Sequence, residues 1–506
     1  MAVHLLEAAP WASGVVLLPL GAAALAFAAP RAGRGLSLLN ALAVPAFAVG
    51  LAVHVARHGP QRYRIGGWGP PLGIDWHADG LSAALLLLTA AVGCGATLHA
   101  LGRSPEGGSP ARASRPGSAR APELFWSLWL FAWAALNSLF LSADAFNLYV
   151  CLELLGLAAV GLAAHGGKAE AVAAALRYLL VSLVGSFCYL LGVALLYADH
   201  STLDLASLAE SVRPGPATAA AAALVTVGLL LKAAVFPLHT WLPPAHGNAP
   251  APVSAVLSAL VVKAAFYLFL RFWLPVLGPA APAAAALVLG LLGAAAVVWG
   301  SLLALTQERL KLLVAYSTVA QIGALLLVLP LAREGPWAPA AWTGGVYLAL
   351  SHGLAKAGMF LAAGSLADSL GHDRTDSLAP ALQARPLSAF AFAAAGASLM
   401  GLPPSGGFVG KWLLLGAALE SGQWGWALVL GGGGLLTAAY CFRVLSGAFT
   451  AQTPAPALRP VSGTAEWAGL GLSLASLLLG FLAPWVLPLI AIGSPFPMPF
   501  GQWGPP

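Results

Sequence analysis

The stretch Leu229–Arg271 reads LLLKAAVFPLHTWLPPAHGNAPAPVSAVLSALVVKAAFYLFLR and decides the fold. Lys232 and Lys263 stand inside apolar runs that suit lipid or a buried core. A charged side chain at the centre of a bilayer costs at least ~3 kcal/mol on insertion scales. Prolines and a glycine between positions 237 and 252 would interrupt the helix after Lys232. Broken helices with ionisable groups near the midplane are typical of ion-transport sites.

The composition of the whole chain points to a membrane protein. Of the 506 residues, 59% are hydrophobic and 8% are charged, whereas soluble domains carry roughly 25% charged residues. We therefore expect an all-α polytopic membrane protein with no separate soluble domain. The formal charge of +6 comes from few groups and gives no indication of nucleic-acid binding. The N-terminal sequence lacks a basic leader and contains Glu7, so we expect the first span to be retained.

Apolar runs of about 20 residues mark the expected membrane spans. They predict about fourteen spans, near 11–29, 36–56, 79–101, 123–142, 145–164, 172–197, 217–239, 251–275, 281–304, 310–331, 340–366, 387–418, 424–449 and 465–490. The Pro-, Gly- and Arg-rich segment 102–123 is expected to be a cytoplasmic linker.

The distribution of positive charge predicts the orientation of the chain. With both termini on the outer face, fourteen lysines and arginines fall in inward loops and six arginines in outward loops. This bias favours a multi-pass protein of the inner (cytoplasmic) membrane with outward termini. The six outward arginines are Arg57, Arg62, Arg64, Arg213, Arg271 and Arg333, of which the first three form a cluster against the bias.

The remaining lysines are the main feature of the sequence, because all four fall within predicted spans. They are Lys232, Lys263, Lys356 and Lys411. Glu153, in FNLYVCLELLGLAAVGLAA, is the acid deep in its span, and we predict that it pairs with Lys232. A carboxylate favours the charged form of a nearby lysine and burial disfavours it, so a change in their separation could load or release a proton. The alternative is a static ion pair that fixes two helices.

Two further spans carry candidate relay groups. Lys263 shares its helix with Ser254 and Ser258, which could hold water; the alternative is a lysine that reaches to the interface. His352 and Lys356 are four residues apart and share one helical face, as a proton relay requires. The alternative for the histidine is a satisfied core residue, and metal binding is not expected because no carboxylate or cysteine accompanies the pair.

A second proline break precedes the last lysine. Lys411 follows GLPPSGGFVG, and Pro403 and Pro404 interrupt that span as Pro237 interrupts the earlier one. Exposed helix ends at such breaks present dipole charge to ions or water. The alternative is that GLPPSGGF is only a packed turn. His239 and His246, after the first break, could extend a path toward one surface.

The two broken spans are the seventh and twelfth, five spans apart. A five-span unit repeated once changes its orientation, which predicts two inverted five-helix repeats. The expected divisions are residues 1–121 (helices 1–3 and the basic linker), 122–278 (helices 4–8), 279–450 (helices 9–13) and 451–506 (the last helix and a Pro-rich tail). The match between the repeats is imperfect, because Lys232 precedes its proline and Lys411 follows its own.

The chain offers no sequence signature of a cofactor site. Its four cysteines lie far apart in apolar segments, without a C-x-x-C pair, and neither a dinucleotide fingerprint nor a P-loop is present. We expect no cofactor and no metal on this chain. Any redox or nucleotide chemistry would belong to other subunits.

The motifs resemble those of a known family between about residues 78 and 450. FNLYVCLELL, LKAAVFPLHTWLPPAHGNAPAPVSAVLSALVVKAAFYLFLRF, AYSTVAQIG, SHGLAKAGMFLAAG and GLPPSGGFVGKW are similar to segments of the antiporter-like proton-translocating subunits. That family serves respiratory NADH–quinone oxidoreductase (complex I), Mrp-type Na+/H+ antiporters and membrane-bound hydrogenases. The resemblance implies a fourteen-helix bundle with inverted repeats, helices 7 and 12 broken, and other membrane subunits as partners.

The resemblance also implies a proton path, which starts at Glu153 and Lys232 and ends at Lys411. Between them it passes Lys263 and then His352 or Lys356. The leading expectation is a subunit coupled to quinone-linked electron transfer, as in complex I. The alternatives are the D-type subunit of an Mrp antiporter, in which Na+ also moves, the membrane subunit of an energy-converting hydrogenase, and a structural scaffold with no working channel.

Overall fold

The chain is a bundle of long apolar helices. The computed structural model describes residues 2–102, 121–165, 167–450 and 458–497, with the side chains of residues 2–9 and 121–123 excepted. Eleven of the helices described are long and apolar enough to cross a membrane, and one sharply bent pair makes a twelfth span if it is counted as a single one. The prediction of a polytopic helical membrane protein is confirmed. The count of fourteen and the inverted repeats stay predictions.

The first part of the bundle runs to residue 248. Its helices are α1 (Ala2–Ala28), α2 (Gly33–His58), α3 (Gly80–Gly102), α4 (Ala121–Leu141), α5 (Ala145–Ala164), α6 (Ala169–His200), α7 (Leu205–Ser211), α8 (Pro216–Lys232) and α9 (Leu242–Asn248). Most of the predicted linker 102–123 and most of the Pro-rich tail lie outside the described residues.

The middle part supplies the centre of the bundle. It comprises α10 (Ala251–Val256), α11 (Val262–Leu268), α12 (Ala283–Thr306), α13 (Leu310–Leu326) and α14 (Val328–Leu331). Wide helical turns with i→i+5 hydrogen bonding follow α10 at Leu257–Val261 and α11 at Phe269–Leu277. The continuous rod Ala251–Leu277 is buried inside the bundle along its most apolar length.

The last part completes the bundle. It comprises α15 (Ala338–Leu370), α16 (Ala379–Ala384), α17 (Pro386–Met400), α18 (Gly406–Glu420), α19 (Trp424–Leu445), α20 (Gly463–Leu478) and α21 (Ala483–Ala491). Helix α15 is buried like the central rod, whereas α19 leaves most of its surface outside.

Both predicted breaks are present. Helix α8 ends at Lys232, and the chain resumes as a helix only at Leu242. Helix α17 ends at Met400, where Gly401 takes the left-handed backbone (φ 88°) that terminates helices. Ser405 then begins α18 by accepting a hydrogen bond from the backbone N–H of Phe408 at 3.1 Å. The last predicted span, 465–490, is also broken, with α20 and α21 meeting at 79°.

A small β-hairpin corrects the all-α description. Strands β1 (Gln61–Arg64) and β2 (Asp75–Ala78) pair antiparallel between α2 and α3. Arg62, from the cluster that opposed the charge bias, lies 3.0 Å from Asp204 and 3.6 Å from Asp75. These carboxylates compensate its charge locally.

The assignment of Arg271 to an outward loop is wrong. It lies in the wide-turn segment Phe269–Leu277, and its guanidinium forms two hydrogen bonds of 2.6 Å to the buried Asp79 carboxylate. A paired arginine can enter a helix that an unpaired one could not. Sequence spacing alone did not indicate the partner, which is far away along the chain.

Candidate functional site

Glu153 and Lys232 form a direct ion pair, as predicted. The Lys232 ammonium lies 2.8 Å from the Glu153 carboxylate, and the side chains of Lys232 and Glu153 are 9% and 20% exposed. The Lys232 ammonium also donates to Ser182 Oγ at 3.1 Å. Ser186 Oγ, one turn further along α6, donates to Glu153. Four side chains from three helices, α5, α6 and α8, therefore supply one another's hydrogen-bond partners in a region with few other polar groups.

The break after α8 determines where the lysine stands. Lys232 is the last helical residue, and Ala234 adopts a positive φ of 54°, a conformation that non-glycine residues rarely take. Trp241 closes the loop by donating to the Leu231 carbonyl at 3.0 Å, while its ring stacks on Tyr178 with centroids 4.2 Å apart. The unwound segment is thus packed, and the last carbonyls of α8 pair with the backbone N–H groups of residues 233–235.

Lys263 is fully buried in the central rod, directly after the wide turn Leu257–Val261. Its ammonium donates to the Ser258 carbonyl, and Ser258 Oγ shares a 2.8 Å hydrogen bond with Thr318 Oγ1. Wide turns inside helices free backbone carbonyls and are frequent at functional sites. No carboxylate of the described residues pairs with Lys263, and the backbone carbonyl of Ser258 holds its ammonium. Its burial rules out the alternative in which it reaches to the interface.

His352 and Lys356 both point into the buried interior from α15. Lys356 donates to the Val314 carbonyl at 3.1 Å and to Ser317 Oγ, both on α13. Both ring nitrogens of His352 are buried without a hydrogen-bond partner among the described residues. The ring lies within electrostatic range of three lysines, Lys263, Lys356 and Lys411.

Lys411 caps the second break. Its ammonium donates to the carbonyls of Leu399 at 2.8 Å and Met400 at 3.0 Å, at the C-terminal end of α17. That end carries the negative pole of the helix, which stabilises a cation. A cavity with room for about one water molecule adjoins Lys411, Ser301 and Gln321. In contrast to Lys232, the partners of Lys411 are carbonyls and not a carboxylate.

The two histidines after the first break differ in their surroundings. His246 is fully buried, stacks on Phe360 with centroids 4.7 Å apart, and has no hydrogen-bond partner on either ring nitrogen among the described residues. It lies within electrostatic range of Lys263 and Lys356. His239 is nearer the surface, where it stacks on Phe236.

The structure brings the predicted residues together in two groups. Glu153 and Lys232 form the first, and the second comprises Lys263, His352, Lys356 and Lys411 with His246 beside them. No direct hydrogen bond between described residues joins Lys232 to Lys263. Sequence reasoning missed Ser182 and Ser186, although their spacing of four residues on α6 could have indicated one polar face.

No group of three or more His, Cys, Asp or Glu side chains in the described part of the chain could hold a metal ion. The lysines and the glutamate of both clusters bind hydroxyls, carbonyls or each other, whereas the rings of His352 and His246 have no hydrogen-bond partner among the described residues. The arrangement suits the binding and transfer of protons, for which hydroxyls and unpaired imidazoles serve as donors and acceptors.

Fold and site define a polytopic membrane protein with two buried groups of titratable side chains. The family model described as NADH:quinone oxidoreductase/Mrp antiporter, transmembrane, matches residues 142–437, more than half of the chain. The chain belongs to this family and is an antiporter-like membrane subunit of the complex I/Mrp type. The resemblance drawn from the motifs is confirmed.

Two relatives and one solved structure illustrate the range of the family. NADH-quinone oxidoreductase subunit N of Desulforudis audaxviator is 38% identical over 431 residues, covering 84% of this chain and 83% of the relative. The D-type subunit of the Na(+)/H(+) antiporter of Bacillus subtilis is 28% identical over 473 residues, covering 90% of this chain and 91% of the relative. A chain of the Mrp complex from Dietzia sp. is 26% identical, with a TM-score of 0.83 and 97% of each chain covered.

Proposed function

We propose that this chain translocates protons along its buried glutamate, lysines and histidine. The observation that carries the proposal is the Glu153–Lys232 pair, whose ammonium and carboxylate meet at 2.8 Å beside a broken helix. A pair that served only to fix two helices would not need an unwound segment next to it. A pair whose separation changes needs such a segment, because backbone near a helix end can move without breaking a hydrogen-bond ladder.

Separation of this pair would change its energy enough to move a proton. With an effective dielectric constant of about 20, two unit charges 2.8 Å apart attract by about 6 kcal/mol. At about 6 Å the attraction falls to about 3 kcal/mol. The difference corresponds to about two orders of magnitude in an equilibrium constant. Since burial disfavours the charged form of both groups, movement of a few ångströms favours release of the proton from Lys232.

The second cluster supplies the rest of the route. We propose that the proton passes from Lys232 to Lys263, then to His352 or Lys356, and leaves at Lys411. The unpaired ring of His352 can accept a proton from one side and donate from the other. His246 and His239 would extend the path toward the surface at the first break.

The chain would act within a larger assembly. We propose a complex I-like complex of the inner membrane, with both termini on the outer face, in which other membrane subunits adjoin this one and quinone-linked electron transfer drives the pumping of H+. The 38% identity to a protein named NADH-quinone oxidoreductase subunit N favours this assignment. No cofactor is proposed for this chain.

A second candidate is a subunit of an Mrp-type antiporter that exchanges Na+ for H+. The fold match to a chain of the Mrp complex, at 97% coverage of both chains, supports it. The two candidates differ in what drives transport. A quinone-linked complex pumps on addition of its electron donor, and an antiporter moves protons in response to a Na+ gradient.

The test is proton transport by the native complex in sealed vesicles. Wild type is compared with Lys232→Ala and Glu153→Gln, and with Lys168→Ala, which removes an exposed lysine outside the site. Each preparation is energised in turn by reduced donor plus quinone and by a Na+ gradient, and assembly is checked by native electrophoresis.

We expect both site variants to assemble and to lose transport, while Lys168→Ala retains it. Response to the electron donor would assign the complex I-like role, and response to Na+ the antiporter role. Full transport by an assembled Lys232→Ala variant would refute the proposal, because the central pair would then be structural.

A further inference from the structure

Helix α20 carries a buried acid that the route above does not use. Glu466, the fourth residue of α20, is 8% exposed. Ser388 Oγ of α17 donates to its carboxylate at 2.8 Å, and no cation of the described residues forms an ion pair with it. Arg385, which precedes α17, donates to Ser369 Oγ and to the backbone carbonyl of Arg459. A carboxyl group that is buried without a cation is costly and marks a functional position.

Glu466 stands at one end of a seam between two helices that run in the same direction. Ser388 and Ser398 are ten residues apart on α17, and Glu466 and Ser476 are ten residues apart on α20. Ser388 contacts Glu466, and Ser398 Oγ donates to the Ser476 carbonyl at 3.4 Å. At 1.5 Å per residue the two contacts lie about 15 Å apart along the helices.

The other end of the seam is a cluster of hydroxyl groups. Ser398 Oγ shares a 2.8 Å hydrogen bond with Ser351 Oγ of α15. Ser476 Oγ donates to the Ser473 carbonyl at 2.7 Å. Ser351 is the residue immediately before His352, whose ring nitrogens are buried without a partner in the described part of the chain. The cluster therefore ends one residue before the histidine of the central group on α15, and transfer to the ring needs a bridging water because successive helical side chains point in different directions.

Small residues line the middle of the seam. Ala391 and Ala395 are fully buried and lie three and seven residues after Ser388, so the same face of α17 carries all of them. Phe392, four residues after Ser388, is also fully buried and lies on this face. The seam thus has an acid at the surface end, hydroxyls at the inner end and a packed middle that water crosses only when the two helices move apart.

We propose that Glu466 admits protons from its surface into the α17–α20 seam, and that Ser398 and Ser351 pass them to His352. The protein would then have an entry to its central cluster separate from the Glu153–Lys232 pair. This inference rests on the proposed proton translocation. Glu466 binds a proton from solvent, water in the seam carries it, and the His352 ring accepts it; no bond other than O–H and N–H changes.

The test is donor- or Na+-driven proton transport by the native complex in vesicles, measured across a range of pH on the Glu466 side. The variants are Glu466→Gln, Glu466→Asp and Ser398→Ala. Glu420→Gln is the matched control for an exposed acid, and Ser127→Ala for a buried serine that bonds a backbone carbonyl elsewhere. Lys232→Ala is measured in parallel.

We expect Glu466→Gln to slow transport by roughly 10²-fold, the lower limit for loss of a positioned proton donor. The loss should be greatest at alkaline pH, where protons are scarce, and Glu466→Asp should restore part of the rate. Ser398→Ala should shift the pH profile in the same direction, and neither control should change it. A residue that only fixes two helices would lower the rate equally at every pH.

The outcomes separate this inference from the proposed function. If Lys232→Ala is inactive and Glu466→Gln is fully active, the entry route is refuted and the role proposed for the Glu153–Lys232 pair is supported. A uniform loss at all pH values for Glu466→Gln, without rescue by aspartate, would also overturn it. Full activity of both Lys232→Ala and Glu466→Gln would refute the proposed translocation itself.

Discussion

The Glu153–Lys232 pair should behave as an energetically coupled unit when its two members are removed separately and together. Glu153→Gln leaves the Lys232 ammonium, whose side chain is 9% exposed, with neutral partners such as Ser182 and no carboxylate. Loss of one partner of a buried pair costs about 3–5 kcal/mol. Because Glu153 is 20% exposed, solvent screening should bring this cost down to or below the lower limit, to about 2–3 kcal/mol.

Lys232→Met alone should cost less, since Glu153 keeps the hydroxyl of Ser186 and some contact with solvent. The double variant removes both charges, and buried pairs replaced by apolar or neutral groups are often no less stable than the wild type. We therefore expect the double variant to be more stable than Glu153→Gln alone, with a coupling energy of about 2 kcal/mol.

The assay is the thermal midpoint of the complex in lipid nanodiscs for wild type, both single variants and the double variant. Arg374 and Asp376 provide a matched control pair, because their charged atoms are 2.7 Å apart but their side chains are 55% and 61% exposed. Neutralising this surface pair should leave the midpoint unchanged. Additive effects at Glu153 and Lys232 would refute the coupling on which the mechanism depends.

Three further perturbations have definite expected outcomes. Asp79→Asn should destabilise the complex by about 3–5 kcal/mol, because Arg271 would lose its paired carboxylate. Burial would raise the pKa of the Asp79 carboxyl, but Arg271 and His77 outweigh burial and hold that pKa well below its ordinary value. The stabilisation by this pair should therefore be complete above about pH 4 and decline as the pH falls further. Thermal midpoints should show this decline in the wild type and not in Asp79→Asn. Lys411→Leu should abolish proton transport in vesicles while the complex assembles; unchanged transport would exclude Lys411 from the route. Trp241→Phe should lower the thermal midpoint by the equivalent of about 1 kcal/mol, because the Leu231 carbonyl loses one donor and keeps the Ala234 N–H; an unchanged midpoint would show that the indole hydrogen bond does not stabilise the break.

The residues of the central site were largely predictable from the sequence because charge inside an apolar run is a strong signal. Lys232, Lys263, Lys356 and Lys411 had no loop to occupy, and all four proved to be wholly or nearly buried. The break after Lys232 followed from its prolines, which lack the N–H that a helix interior requires. The partner Glu153 followed because it was the acid deep in its span.

The partners of the other lysines were not predictable. Lys356 is held by Val314 and Ser317, and Lys411 by two carbonyls at a helix end. Backbone carbonyls occur at every residue and carry no sequence signal. The wide turn before Lys263 likewise has no marker in the sequence, since LSALV reads as ordinary helix.

Glu466 and Arg271 were missed for opposite reasons. An acid in the first turns of a helix is common as a partner of the helix dipole, so Glu466 looked ordinary at its position. Arg271 looked like the end of a span, and only the fold reveals that Asp79 meets it. Tertiary contacts between distant segments decide both cases.

The central claim is that the Lys232 ammonium and the Glu153 carboxylate separate during turnover, so that Lys232 releases its proton and the isolated, poorly solvated carboxylate takes one up. Infrared difference spectroscopy of the energised complex, with Glu153→Gln as the reference, measures the protonated carboxyl band directly. The account predicts a band that rises and decays with each turnover in wild type and is absent from Glu153→Gln. A wild-type carboxylate that stays ionised and unchanged throughout turnover would contradict it.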